Sequence, residues 1–255
     1  MGLAAVAAPF SRRVTPVQAA SLPWVAPVTV TPGLAIFPRA AWGADLPPKG
    51  TIAAETPKFL LVHHTASSNR YTDPRDVIRT AYFWHTSNDP LKGWPDVAYE
   101  FFVGRDGSVW EGRAGALAGP VRADATGGSQ GFAQLVCLLG DFTSEQPTAA
   151  AMDSLVKVLA WLADRHSIDT TPGATTRFVS RGSQRWPAGT TVTTRTIEGH
   201  RSMSYTACPG NAFAPRVTTE LPVLVSAQRE AWRTGLRNAV RLGRRDLGTS
   251  AADAP

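Results

Sequence analysis

Three residues of this chain have the types and surroundings for metal chemistry. His63 lies in Leu61-Val62-His63-His64-Thr65, and His200 and Cys208 flank the stretch Arg201-Ser202-Met203-Ser204-Tyr205-Thr206-Ala207. Two imidazoles and one thiolate make a complete protein shell for a catalytic zinc with the fourth position open to water, whereas a structural zinc site closes that position with another Cys or His. The His200–Cys208 spacing is too long for one helix face, so a loop has to fold both onto the metal, and the Cys208-Pro209-Gly210 turn helps to fix the thiolate. If the trio meets in space, a zinc hydrolase is expected. The alternative for Cys208 is a disulfide to Cys137, the only other cysteine. Cys137 lies in the apolar run Leu135–Leu139, which reads as a buried strand where a Cys acts as a small hydrophobe.

The elements that position these residues follow from the pattern. Phe59 to Val62 read as a short buried strand with His63 at its end. Asp73-Pro74 opens a helix, Asp as N-cap and Pro in the first turn. Val77, Ile78, Ala81, Tyr82 and His85 form its buried face. This helix should end before Asp89-Pro90. Val97–Val103 is the next predicted strand, Arg105-Asp106-Gly107-Ser108 a tight turn, and Val109-Trp110-Glu111 the return strand. Residues 148–166 form the clearest helix, with Met152, Leu155, Val156, Leu159 and Leu162 in one stripe. Residues 170–197 read as a β-hairpin turning near Trp186-Pro187-Ala188-Gly189. A last helix, about 216–242, sets an apolar line (Trp232, Leu236, Val240) beside a basic one (Arg229, Arg233, Arg237, Arg241).

The chain has 255 residues, 43% of them apolar, enough for one substantial core. Both ends read as irregular: residues 23–58 as an extended Pro- and Gly-rich arm, and 247–255 as a disordered tail. No run of about 18 apolar residues occurs, so no membrane-spanning segment is expected. Val17-Gln18-Ala19-Ala20-Ser21 is similar to a signal-peptidase site, but the preceding apolar run is short; residues 1–22 read equally as an export-signal remnant or a flexible arm. Net charge is +6, and seven Arg fall between Arg216 and Arg245 against Glu220 and Glu230. The bland reading of the Arg line is a solvated face on a packed helix; the sharper one is a helix for an anionic surface such as a cell-wall polymer. No nucleic-acid-binding motif occurs, so no nucleic-acid partner is expected.

With these residues in order, the chain resembles the type-2 N-acetylmuramoyl-L-alanine amidases, which share a domain with the peptidoglycan recognition proteins. The resemblance covers about residues 36–222. It rests on Arg39-Ala40-Ala41-Trp42-Gly43-Ala44, Val62-His63-His64-Thr65-Ala66, Gly93-Trp94-Pro95-Asp96-Val97-Ala98-Tyr99, Arg105-Asp106-Gly107, Glu111-Gly112-Arg113, Leu139-Gly140-Asp141-Phe142, and Gly199-His200-Arg201 through Cys208-Pro209-Gly210. The 170–197 hairpin is similar to that of actinobacterial members. The resemblance implies Zn2+ on His63, His200 and Cys208, with Tyr99 as the catalytic tyrosine. It places Thr206 where related phage enzymes carry Lys. It implies peptidoglycan as partner and an extracellular or envelope location. The Tyr99 hydroxyl could bond the tetrahedral oxyanion, worth on the order of 3 kcal/mol for a well-placed donor, and Thr206 could support the same oxygen or the leaving amine. Trp94 and Arg113 join the candidate substrate residues, with Trp94 and Trp84 read as core or as groove lining. His64 is expected to support the metal ligands or line the groove, since strand alternation turns it from His63. His85 reads as a hydrogen-bonded core or groove-wall residue.

Some positions depart from the family pattern. Ser202 stands where an Asp is usual, and Ala125-Thr126-Gly127-Gly128-Ser129-Gln130 lacks a His expected to face substrate, with Gln for Asn. A peptidoglycan-binding module without catalysis is therefore the second reading. The expected fold is a single mixed α/β domain: a central sheet of about five or six strands flanked by helices, with zinc at one mouth. Residues 1–35 are expected to form an arm or signal remnant, 36–222 the amidase domain, and 223–255 a basic helix and tail.

Overall fold

The computed structural model describes residues 22–89 and 92–249, with side chains to residue 237. The elements, in chain order, are β1 (Val28–Thr31), β2 (Leu34–Ile36), α1 (Ala40–Gly43), β3 (Phe59–His64), α2 (Pro74–His85), β4 (Phe101–Val103), β5 (Val109–Glu111), β6 (Ala133–Leu138), α3 (Ala149–Arg165), β7 (Thr175–Val179), β8 (Thr191–Arg195), β9 (Ile197–Gly199), α4 (Ala214–Thr219) and α5 (Leu221–Thr249). The signal-like stretch before Leu22 and residues 250–255 of the expected tail lie outside the described residues; 247–249, expected as tail, continue α5.

A five-stranded sheet in the order β5-β4-β6-β3-β9 forms the centre. β3 pairs in parallel with both β6 and β9, β6 pairs in parallel with β4, and β4 and β5 are antiparallel. The fold is thus a mixed α/β domain with a central mixed sheet, as the sequence implies. Every residue of β3 and β6 is buried, as expected of parallel strands covered on both faces. Alternation then sorts them. Leu60, Val62, Val136 and Leu138 join α3 and the start of α5 in one core, while Phe59, Leu61, Leu135 and Cys137 join α2 in the other.

The helices follow their sequence signals. The Asp73 side chain accepts from the Arg75 N–H at 2.9 Å to open α2, and the Thr148 hydroxyl accepts from the Ala151 N–H at 3.1 Å to open α3. The predicted 216–242 helix is two helices. Pro222 has no N–H to continue α4, so the chain breaks at Glu220 and restarts as α5. Val225 is buried in the core, and Arg229 and Arg233 both pair with Asp164 of α3, so part of the basic line is held internally. No helix among the described residues is long and apolar enough to cross a membrane.

Two further differences matter. The 23–58 stretch, expected to be extended, contains the β1–β2 hairpin and α1, whose Leu34, Ile36 and Trp42 are buried. The expected 97–103 strand starts only at Phe101. Val97 to Glu100 are as buried as a strand, but side chains satisfy part of their backbone: Asp96 accepts from the Val97 N–H and the His85 ring from the Ala98 N–H. Tyr99 therefore sits in a tethered segment beside the sheet rather than in its ladder.

Candidate metal centre and groove

His63 and His200 meet because their strands are neighbours. Val62 is in register with Gly199, so the next residue of each chain lies at the same end of the sheet, with ring centroids 4.3 Å apart. Cys208 returns over this end. Its Sγ lies 3.6 Å from His63 Nδ1 and accepts from the His64 N–H at 3.4 Å. Gly210 makes the return possible: at φ +102°, any Cβ there would sit 2.3 Å from the Phe142 carbonyl oxygen. One ligand atom from each of His63, His200 and Cys208 lies within 4.8 Å of the others.

This donor set fits zinc. The set is two nitrogens and a sulfur, and His63 presents Nδ1 to it, 3.6 Å from the Cys208 Sγ. Burial, reinforced by the His200 ring, holds the His63 pKa well below the usual imidazole value, and burial brings that of His200 to about 4. Both are therefore neutral near pH 7, the form a metal takes. Burial pushes the Cys208 thiol up to about 12, against the pull of the His64 N–H, so ligation has to release its proton. Cys137 and Cys208 are both free thiols, which removes the disulfide alternative.

A sequence profile described as N-acetylmuramoyl-L-alanine amidase matches residues 53–211. The chain belongs to this family. The human N-acetylmuramoyl-L-alanine amidase (Homo sapiens) is 32% identical over 191 residues, covering 70% of this chain and 27% of the relative. The pig enzyme of the same name (Sus scrofa) is 31% identical over 187 residues, 70% of this chain and 26% of the relative. The chain thus spans about a quarter of the length of these curated amidases. Among solved structures, Drosophila PGRP-LB has a TM-score of 0.53 at 21% identity, covering 72% of this chain and 93% of that one, a likeness of fold.

Around this His-His-Cys trio of the amidase-family domain, the Tyr99 ring packs 5.0 Å from His63 and edge-on to His85 at 5.4 Å. Gly112 lets the chain hold Tyr99: a Cβ there would lie 2.4 Å from the Tyr99 carbonyl oxygen, which accepts from the Arg113 N–H at 2.9 Å. Burial raises the Tyr99 pKa well above its usual value, so the phenol keeps its proton. Thr206 is half-buried, and its oxygen accepts from the Cys208 N–H at 3.2 Å. His64 faces away from His63, as alternation requires, and its Nδ1 accepts from the Phe142 N–H at 3.3 Å. His85 is buried between the Ala98 N–H and the Trp94 ring. Trp94 is half-buried at the rim. Arg113 is not brought to the groove surface. Its side chain is 1% exposed and pairs with Asp124, so it supports the wall from behind.

Sequence reasoning missed two parts of this neighbourhood. The Lys92 ammonium lies 4.1 Å from the Trp84 ring centre and 4.3 Å from that of Trp94, a cation held on two indole faces at the rim. Its only signal was its place beside Gly93-Trp94. Asp96 is fully buried and accepts from Arg39 and the Ala114 N–H, tying the N-terminal segment to the stretch that carries Tyr99. Beyond Thr65, a cavity of about 290 Å³ opens between the end of β3 and α2, lined by Ser67, Arg70, Tyr71, Asp73 and Val77 among others.

Proposed function

We propose that this domain hydrolyses the amide between N-acetylmuramic acid and L-alanine in peptidoglycan, outside the cell or at its envelope. His63, His200 and Cys208 would hold the metal. The observation that carries the proposal is the meeting of two imidazoles and one thiol at one end of a sheet whose chain belongs to an amidase family. A zinc ion held there supplies Lewis acidity and a nucleophilic water at neutral pH. The chain's own part is to orient and to donate. Tyr99, protonated and packed beside His63, donates to the oxygen that gains charge as the amide carbonyl is attacked. Thr206 accepts from the Cys208 N–H, steadying the thiolate turn, and its own proton is directed elsewhere, toward the same oxygen or the leaving amine. His64 and His85 hold the backbone of the walls, and Trp94 with Lys92 forms the rim for the substrate.

A binding module without catalysis is the second reading, and one observation favours it. The Ala125–Gln130 loop, where a substrate-facing His was expected, packs under the β7–β8 hairpin. Gly128 accepts from the Arg181 N–H, and a Cβ on Gly127 would lie 2.6 Å from the Met203 carbonyl oxygen. Mass spectrometry of purified peptidoglycan after incubation with zinc-loaded protein decides between them. Free stem peptides beside peptide-free glycan, absent with Cys208→Ser, are the amidase outcome. Intact muropeptides from both proteins reject it.

A further inference from the structure

The stretch between His200 and Cys208 delivers two of the three metal ligands, yet no strand ladder holds it. It begins with one short 3-10 turn (His200–Ser202). Its inner edge is tied by Arg201, whose N–H donates to the Cys208 carbonyl at 3.1 Å. Its outer edge meets the tip of the β7–β8 hairpin. There Arg185 Nη1 donates to the Arg201 carbonyl at 3.0 Å, Trp186 Nε1 to the Ser202 carbonyl at 2.9 Å, and Ser183 Oγ to the Met203 carbonyl at 3.1 Å. Three consecutive carbonyls of the metal loop are thus taken by three side chains of one four-residue tip.

The tip is itself set. The Ser183 N–H donates to the Trp186 carbonyl at 2.9 Å and the Trp186 N–H to Ser183 Oγ at 2.9 Å, so the donors leave a closed turn. Ser180 Oγ donates to the same Trp186 carbonyl at 2.8 Å. Below, Met203 is buried against Phe178 of β7 and Val192 of β8. Ser202 offers its carbonyl to this arrangement and no side-chain carboxylate.

We infer that the β7–β8 hairpin braces the metal loop: Ser183, Arg185 and Trp186 are positioning residues that hold the loop's carbonyls and thereby keep His200 and Cys208 set for zinc. The inference rests on the zinc reading of the site. A loop held in ligand geometry before the metal arrives loses less conformational freedom on binding.

The test compares zinc release to a chromogenic chelator and the melting temperature of the zinc-free protein, in wild type, Trp186→Phe, and the double variant Arg185→Ala/Ser183→Ala. Trp186→Phe keeps an aromatic ring, though a smaller one, and removes the donor; the double variant removes the other two donors, Arg185 being exposed, and so remains informative if Trp186→Phe folds poorly. The expected result is zinc release roughly 3–10-fold faster in Trp186→Phe, the worth of one net hydrogen bond, with a change of the same sign in the double variant. In the cobalt-substituted protein the thiolate-to-metal absorption band should shift. Unchanged release in both variants, even with a lower melting temperature of the zinc-free form, would show ordinary packing and overturn the brace. Wild type that holds zinc no better than Cys208→Ser would overturn the metal reading, and the brace with it.

Discussion

The two halves of the candidate metal site are built by different means. His63 comes on β3, which is paired along its length with β6 and through Leu60–Val62 with β9, so the backbone ladder fixes its place. His200 and Cys208 come on a loop held by side chains reaching its carbonyls. Ladder bonds form with the sheet and go only when the sheet goes. Side-chain bonds to a loop can be removed one at a time while the sheet stays. The strand half should therefore answer to mutation in global stability, and the loop half in metal affinity.

The largest effect is expected from the loop half. Cys208→Ser removes the one thiolate while leaving a residue of similar size. It should abolish stoichiometric zinc binding and, with it, peptidoglycan cleavage, while the far-ultraviolet circular dichroism stays that of wild type. A variant with full zinc and full activity would break the ligand assignment.

Tyr99→Phe comes next. Tyr99 sits in neither half: it belongs to the tethered Val97–Glu100 segment and touches the site through its ring. Removing a well-placed oxyanion donor costs on the order of 10²–10³-fold in kcat. The expected outcome is that loss with zinc content unchanged, measured on a defined muropeptide. Loss of zinc together with activity would make Tyr99 a support of the metal site instead.

The strand half is probed by Leu61→Ala, two residues before His63 and fully buried. Truncating such a side chain costs about 2–5 kcal/mol, read as a lower midpoint in urea. Zinc release from the folded fraction should match wild type. Faster release would show that the ladder does not isolate His63 from its own strand, and the comparison between the halves would fail.

The same contrast explains what was legible in the sequence. β3, β6 and α3 announce themselves because burial on a regular element leaves a period, and His63 could be placed at the end of one such run. That His63, His200 and Cys208 come together was legible because few residue types bind zinc and the chain has few of them. Bonds from side chains to carbonyls leave no period, so the work of Ser183, Arg185 and Trp186 on the loop was invisible. Val97–Glu100 was read as the start of the strand that holds Phe101–Val103, although side chains satisfy part of its backbone. Arg113 was read as a candidate substrate residue from the Glu111-Gly112-Arg113 motif; only its pairing with Asp124 reveals the burial.

The smallest effect lies at the other end of β6, where the ladder-held half carries its own conflict. Burial raises the Glu55 carboxyl to about 8, and burial with the neighbouring Glu55 raises Glu100 well above the usual range. Glu55 Oε1 accepts from Gln134 Nε2 at 2.6 Å and Glu100 Oε2 from the Leu135 N–H at 2.8 Å, while Glu55 Oε2 and Glu100 Oε1 meet no hydrogen-bond donor in good geometry among the described residues. An unfolded glutamate titrates near about 4.3. A folded-state pKa above that means the native protein holds the extra proton, so stability falls as pH rises between the two values. Glu55→Gln removes the titration and keeps an acceptor oxygen. Its melting temperature relative to wild type should therefore climb between pH 5 and pH 8, by a few degrees (about 2–4 °C for each kcal/mol in a domain of this size). At each pH the zinc release rate of the variant should match that of wild type, since nothing in the metal loop has changed. A variant that loses ground as pH rises would mean that Glu55 is held as a charged partner of Arg113, and that this end of the sheet carries an ion pair instead of a proton.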